Sequence, residues 1–342
     1  MASASPSTRP SADPESRAPI VAHAATVESS WIRSARLAYR RYRNARFRPF
    51  HSLLRHVLRS LVGSRQIVTL RSGLRMELDL TLGIQSTIFW YDGDVEPQLT
   101  WALREFLPLG GRMIDCGANC GLFGLEARLH RGASVLFVEP HPVLAAQVRR
   151  NIELNGWTDS CHVIEAAASD HSGRANLFLC ETNDGSHSLD ADWPILATGA
   201  SSKIEVPLIT LADVLENEAP SPRVDFLKID TEGHDFSVLG GLADFLHPDR
   251  VSMLYLELGN HREKAIERLQ SRGYSGFMYR RDLLDGVALR RAMQRAADGA
   301  PPCMFTPVAS NSGTSETLWC GAGSPAERRL LELARQAPSP AT

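Results

Sequence analysis

The chain has no run of about 18 consecutive apolar residues, so no segment reads as a membrane span. It also lacks an excess of either charge. Lys and Arg number 37 against 39 Asp and Glu, a net charge of -2, and no global field of that size singles out nucleic acid as a partner. Cysteine is sparse and unpatterned. Cys116, Cys120, Cys161, Cys180, Cys303 and Cys320 form neither a C-x-x-C pair nor a Cys/His cluster, which argues against a zinc site or a disulfide framework and fits a reducing cytoplasm. The first residues lack the charged-then-apolar order of an export signal. None of these absences names a function. They leave an ordinary globular chain, long enough for a buried sheet with helices on both faces.

What is present divides unevenly. Residues 1–29 are rich in Ser, Pro and Ala, too poor in large apolar side chains to offset the entropy of ordering, and are expected to be a disordered tail. Residues 30–80 read as an Arg-rich arm. From Ser30 to Met76 the arginines meet no acidic residue, Leu54, Val57, Leu58 and Leu61 recur at helical spacing, and Gln66 to Leu70 and Leu74 to Leu80 flank Arg71-Ser72-Gly73 as a β-hairpin. The arm reads as a basic helix docked on the core, with peripheral contact to an acidic membrane surface or a partner as the alternative. Residues 81–325 are expected to form the main domain and 326–342 a C-terminal tail. No internal repeat is visible.

Within the main domain short apolar runs occur at Met113-Ile114, Val135 to Val138, His162 to Ile164, Phe226 to Ile229 and Met253 to Leu258. Helical stretches lie near Leu122 to His130, Val143 to Leu154 and Leu211 to Glu216. Alternation of this kind implies an α/β fold, a mostly parallel Rossmann-like sheet covered on both faces. Thr182 to Ser202 is polar and reads as a long loop.

The turn Asp115-Cys116-Gly117-Ala118-Asn119-Cys120-Gly121 joins the first of these strands to a helix, where open parallel sheets bind ligands. Gly117 and Gly121 permit close backbone approach. Asn119 stands where a dinucleotide fingerprint has its second glycine, and a carboxylate at Asp115 would repel a pyrophosphate. That carboxylate suits the cationic amino group of S-adenosylmethionine, and Glu139, at the tip of the next strand, can accept hydrogen bonds from ribose hydroxyls. The competing reading of Asp115 is a helix N-cap.

These blocks, in order, resemble the FkbM family of methyltransferases. The likeness covers roughly Leu80 to Leu258. Met113 to Gly121 resembles the family's cofactor loop, Phe137-Val138-Glu139-Pro140-His141-Pro142 its acidic second strand end, and Glu165-Ala166-Ala167-Ala168-Ser169-Asp170 its third strand and turn. Thr210-Leu211-Ala212-Asp213 and Leu227-Lys228-Ile229-Asp230-Thr231-Glu232-Gly233-His234-Asp235 complete the series, with Ala212 and Asp235 departing from the usual residues. The resemblance implies a class I methyltransferase with S-adenosyl-L-methionine as cosubstrate, its site including Asp115, Gly117, Asn119, Gly121, Glu139 and Ala167. It also implies O-methylation of a hydroxyl on a secondary metabolite or sugar.

Asp230 ends its strand and is expected to face the acceptor, with His234 as proton acceptor by intrinsic pKa. Lys228, inside an apolar strand, is expected to pair with a carboxylate. Glu232 is expected to brace the turn, His141 to lie beside the adenosine, and Glu96 to have a substrate or cofactor role. Ser186, His187 and Trp193 are expected near the acceptor pocket. No metal is expected, Asp230 and Glu232 being read as a poor bidentate cluster. An NAD-dependent oxidoreductase and a non-catalytic cofactor-binding module are the alternatives. The acceptor and the oligomeric state are not readable.

Overall fold

The computed structural model describes residues 25–44, 61–180, 183–191, 193, 200–217, 223–259, 261–280, 305–308 and 316–336. The described chain opens on a short strand, β1 (Thr26–Val27), which pairs in parallel with β2 (Arg65–Thr69). Residues 26–28 are therefore placed, although they fall in the expected tail. Helix α1 (Ser30–Asn44) docks by burying Ile32 and Tyr39, and the Tyr39 ring lies 5.2 Å from that of Trp90. Arg36 is buried with them. Its guanidinium donates to the Thr69 carbonyl at 2.9 Å and to Asp92 at 3.0 Å, and lies 3.1 Å from Glu28. An arginine tolerates such burial only when its charge is answered, here by Asp92 and Glu28.

The expected hairpin forms from β2 and β3 (Arg75–Asp79), with Arg65 opposite Asp79. Arg65 and Arg71 pair with Asp79 and Asp94, each at 3.2 Å. Acids of the main domain and the hairpin thus answer part of the arm's charge, which weakens the case for a membrane contact. Leu54, Val57 and Leu58 lie outside the described residues, and Leu61, expected on an apolar face, is exposed.

Two helices, α2 (Gly83–Tyr91) and α3 (Pro97–Phe106), lead into the core. There β4 (Arg112–Cys116), α4 (Leu122–Arg131), β5 (Ser134–Val138), α5 (Pro142–Asn155) and β6 (Cys161–Ile164) alternate as expected. A small three-stranded sheet follows, from β7 (Ala167–Ala168), β8 (Gly173–Cys180) and β9 (Ala200–Ile209). The expected loop at 182–202 therefore ends in the start of β9. Then come α6 (Leu211–Glu216), β10 (Phe226–Ile229), α7 (Asp235–Gly240), β11 (Met253–Glu257), α8 (Arg262–Ser271), β12 (Tyr274–Tyr279), β13 (Phe305–Pro307), β14 (Glu316–Gly321) and α9 (Pro325–Arg335).

The central sheet has eight strands in the order β13-β12-β14-β11-β10-β4-β5-β6. From β6 to β11 the pairs are parallel, and β14 is inserted antiparallel to β11 and β12. Counted along the chain, the parallel strands run third, second, first, fourth, fifth, which is the doubly wound order, with its switch point between β4 and β10. Alternate residues feed two cores. Met113, Phe137 and Phe226 pack on one face, and Ile114, Leu136 and Leu227 on the other.

The expected C-terminal tail is corrected over most of its length. Pro325–Arg335 is a helix whose start is capped by the Ser324 side chain accepting from the Glu327 amide. It docks because Leu330 and Leu333 are buried, and Arg329 reaches Glu105 at 2.9 Å.

Candidate active site

At the switch point an open cleft is lined by Gly117, Asn119, Glu139, Ala167, Asp230 and His234. Sequence reasoning nominated all of these. Glu96, Lys228, Glu232 and His187 line the same cleft, as do two residues it did not single out, Asp184 and Glu257.

Asp115 and Gly121 do not line it. Asp115 is 0% exposed, with one oxygen accepting from the Gly124 amide at 2.9 Å and the other 3.3 Å from the Lys228 ammonium. It holds the first turn of α4 and neutralises Lys228, so the expected contact with a ligand's amino group is replaced by an internal one. Gly121 starts α4 in the left-handed region, φ 86°, against Val148.

Gly117 is required for a reason other than ligand approach. At φ 74° a Cβ there would lie 1.8 Å from the Asp230 carbonyl oxygen, so only glycine lets the tips of β4 and β10 meet. Asn119 also takes a positive φ, 52°, which asparagine tolerates better than most residues. Its amide donates to Glu139 at 2.7 Å and its side-chain nitrogen to the Asp184 carbonyl at 2.9 Å. Further along, Gly124 allows α4 to lie on the sheet, since a Cβ would meet the Phe137 ring at 2.3 Å. That packing glycine was present in the sequence but unused.

Glu139 is buried at the tip of β5 and accepts from the Asn119 amide at 2.7 Å and the His141 amide at 2.9 Å. Burial pushes its carboxyl up to about 7 even though both amides favour the charged form. His141 stacks on His187, ring centroids 4.9 Å apart, and burial together with His141 brings His187 down to about 4. Around these, residues 183–191 and Trp193 strap the cleft: Asp184 accepts from the Ile84 amide, Ser188 donates to the Glu232 carbonyl and the Trp193 indole donates to the Glu232 carboxyl. Ser186 is buried and bonded to Asn183, so it supports the strap.

Lys228 pairs as expected, with Asp115 at 3.3 Å and Asp230 at 3.4 Å, and donates to the Gly117 carbonyl at 3.0 Å. Burial opposes its charge, but the two carboxylates more than offset this and keep it protonated.

The expectation that Asp230 and Glu232 make a poor cluster is overturned. The strand ends at Ile229, Glu232 turns at φ 52°, and one oxygen each of Asp230, Glu232 and Glu257 lies within 4.8 Å of the others. Burial, then Asp230 and Glu257, raise the Glu232 carboxyl to about 8. Glu257 is a strand-tip acid like Asp230, and that position was its sequence signal. Asp184 had none.

His234 precedes α7, and its Nε2 lies 3.0 Å from Ser169 Oγ. Burial lowers its pKa. Glu96 takes φ 44° and accepts from the Tyr255 hydroxyl at 3.2 Å.

The doubly wound sheet, with an antiparallel strand near one edge and acidic strand tips around a glycine turn, is a Rossmann-like arrangement. Residues 115–275 match the family model described as Methyltransferase FkbM domain. "Methyltransferase 1" of Beauveria bassiana (strain ARSEF 2860) is 27% identical over 186 residues, covering 50% of this chain and 74% of that protein. "Methyltransferase sdnD" of Sordaria araneosa is 28% identical over 162 residues, covering 40% of this chain and 62% of that protein. Among solved structures, the METTL16 MTase domain aligns with TM-score 0.41 at 13% identity, covering 74% of this chain and 75% of the other. The human methyltransferase 10 domain containing protein aligns with TM-score 0.41 at 12% identity, covering 79% and 97%. Among the described residues no helix is long and apolar enough to cross a membrane.

Proposed function

We propose that this chain transfers the methyl group of S-adenosylmethionine to a hydroxyl oxygen of a small molecule or glycan. The observation that carries the reading is the convergence of Asn119, Glu139, Asp230 and His234 on one cleft at the sheet's switch point. Glu139 fits the ribose. Each of its oxygens spends one lone pair on a backbone amide and keeps another for a hydroxyl donor. Ala167, small and buried in the cleft wall, leaves room for the adenine ring. With Asp115 withdrawn, we assign Glu96 and Asp230, two of the carboxylates that line the cleft, to the cosubstrate's ammonium.

The sulfonium supplies an activated methyl. The acceptor oxygen forms a bond to that carbon, the carbon–sulfur bond breaks with its electrons going to sulfur, and the hydroxyl proton passes to His234. Alignment of the reactants is worth about 7–11 kcal/mol, more than the roughly 10²–10⁴-fold, or about 3–5 kcal/mol, that a general base contributes. On this reading the rigid tips of β4, β5 and β10 matter more to rate than the base does. The site takes no catalytic metal, because Lys228 already answers Asp230 and Trp193 already donates to Glu232.

Two measurements test the reading. Calorimetric titration with S-adenosylmethionine, S-adenosylhomocysteine and NAD should give binding to the first two alone. Methyl-labelled S-adenosylmethionine incubated with a panel of hydroxyl-bearing metabolites and sugars should yield an O-methyl product. A label found on nitrogen or carbon would overturn the O-methyl assignment.

A further inference from the structure

His234 has two ring nitrogens, and the structure commits one of them. Ser169 follows β7, is 1% exposed, and is held by its amide donating to the Ile209 carbonyl at 2.8 Å. Its Oγ lies 3.0 Å from His234 Nε2 and 3.3 Å from Asp170 Oδ1. A serine hydroxyl has one proton to give and lone pairs to receive with. Asp170 as a carboxylate only accepts, and its bond from His171 Nδ1 at 2.6 Å, the largest cause, lowers its pKa and keeps it ionised. The hydroxyl proton therefore goes to Asp170, and Oγ is left to accept from Nε2–H.

We propose that Ser169, backed by Asp170, is a positioning residue that fixes His234 as the Nε2–H tautomer, leaving Nδ1 as the nitrogen that takes the acceptor's proton. The charged and titratable groups around His234 are Asp170, His171 and Asp190. Protonation at Nδ1 then produces an imidazolium whose Nε2–H is already bonded to a hydroxyl that points its own proton at a carboxylate. This orientation also removes a competing state. A His234 protonated at Nδ1 would meet the acceptor hydroxyl with a donor instead of a lone pair. The use made of Nδ1 rests on the reading of His234 as the proton acceptor, but the tautomer is measurable without any acceptor.

The test is nuclear magnetic resonance on the full chain with ¹⁵N-labelled histidine, His234 being assigned by its loss in His234→Ala. The expected pattern is a protonated Nε2 with a directly observed, exchange-protected proton, and an unprotonated Nδ1. Ser169→Ala should lose the protected proton, and Ser169→Thr, which restores the hydroxyl, should regain it. Asp170→Ala frees the serine proton to face Nε2 and should move the histidine proton to Nδ1. The Asp170 side chain is 53% exposed, so this variant leaves the core intact if Ser169→Ala fails to fold. A wild-type proton on Nδ1, or ¹⁵N shifts unchanged in both Ser169→Ala and Asp170→Ala, would overturn the proposal. Full turnover in His234→Ala would instead sink the base assignment while leaving the tautomer standing.

Discussion

Lys228 and Asp115 are cross-strand neighbours in register on β10 and β4, and their charged atoms meet 3.3 Å apart where neither side chain is more than 2% exposed. The neighbouring strand residues Met113, Ile114, Leu227 and Ile229 are apolar and buried, so the pair is an ionic tie between the two strands at the sheet's switch point. Asp230 and the Gly117 carbonyl complete the ammonium's surroundings. The pair makes the two strand tips a single rigid unit, and it withdraws from the cleft an acid that looked, from position alone, like a ligand contact.

Asp115→Ala should therefore act on stability before it acts on binding. Removing one partner leaves the buried ammonium with only Asp230 and the Gly117 carbonyl, at a cost of up to about 3 kcal/mol. Urea unfolding of the free protein measures this. A variant of wild-type stability that has lost S-adenosylmethionine affinity would return Asp115 to the ligand.

Glu139→Ala should show the opposite balance. Loss of charge-assisted hydrogen bonds to the ribose should weaken S-adenosylmethionine binding by about 1.5–3 kcal/mol, read by calorimetry on protein shown to be folded. Unchanged affinity would take Glu139 out of the site.

Much of this arrangement was legible because buried parallel strands are near-continuous apolar runs, and an acid ending such a run stands out. The five parallel strands, Glu139 and Asp230 were found that way. The far edge of the sheet was not. Strand β12 carries Gly276 in its interior, which reads as a breaker; the glycine is there because the Trp319 ring of β14 fills the space, and a Cβ would meet it at 2.6 Å. Glu257 was missed because the apolar run continues to Leu258, which hid the strand's end. Residues two apart share a face of an extended segment, so the spacing of Asp230 and Glu232 already allowed their convergence; the positive φ at Glu232, a non-glycine residue, was what no side-chain pattern announced.

Buried carboxyls make the stability of the free protein depend on pH. Glu139 and Asp235 are raised to about 7 and Glu232 to about 8, in each case chiefly by burial. A folded-state pKa above the unfolded one contributes stability that is complete below the unfolded value and is lost as pH rises through the folded value. His187, brought down to about 4, works in the opposite direction, but only below its ordinary 6.5. From about pH 6.5 to 8 the carboxyls act without it, so the urea midpoint should fall across that window. Glu232→Gln should flatten the upper part of the fall. A midpoint that rises instead would mean these groups are ionised in the fold.

Metal dependence separates the carboxylate cluster from a cation site. The ammonium of Lys228 lies 3.4 Å from Asp230, and the Trp193 indole donates to Glu232 at 3.0 Å, so a divalent ion would have to displace or crowd both. Methyl transfer should be indifferent to EDTA. Activity abolished by EDTA and restored by magnesium would reassign Asp230, Glu232 and Glu257 as ligands.

The remaining prediction concerns the base. If His234 takes the acceptor's proton, His234→Ala should keep S-adenosylmethionine affinity and lose about 10²–10⁴-fold in single-turnover rate. Neutral imidazole is the competent form, so the wild-type rate should climb with pH and level off once His234 is deprotonated. Burial lowers the histidine below its ordinary 6.5, and the climb should be centred below that value. His234→Ala should lack this limb. Asp230→Asn should retain it at a reduced rate, since that carboxylate orients reactants and holds Lys228 without exchanging the proton. The two variants thus differ in the shape of the profile even if their rates at neutral pH coincide. A pH-independent wild-type rate, together with full activity in His234→Ala, would leave Asp230 as the residue to be tested as base.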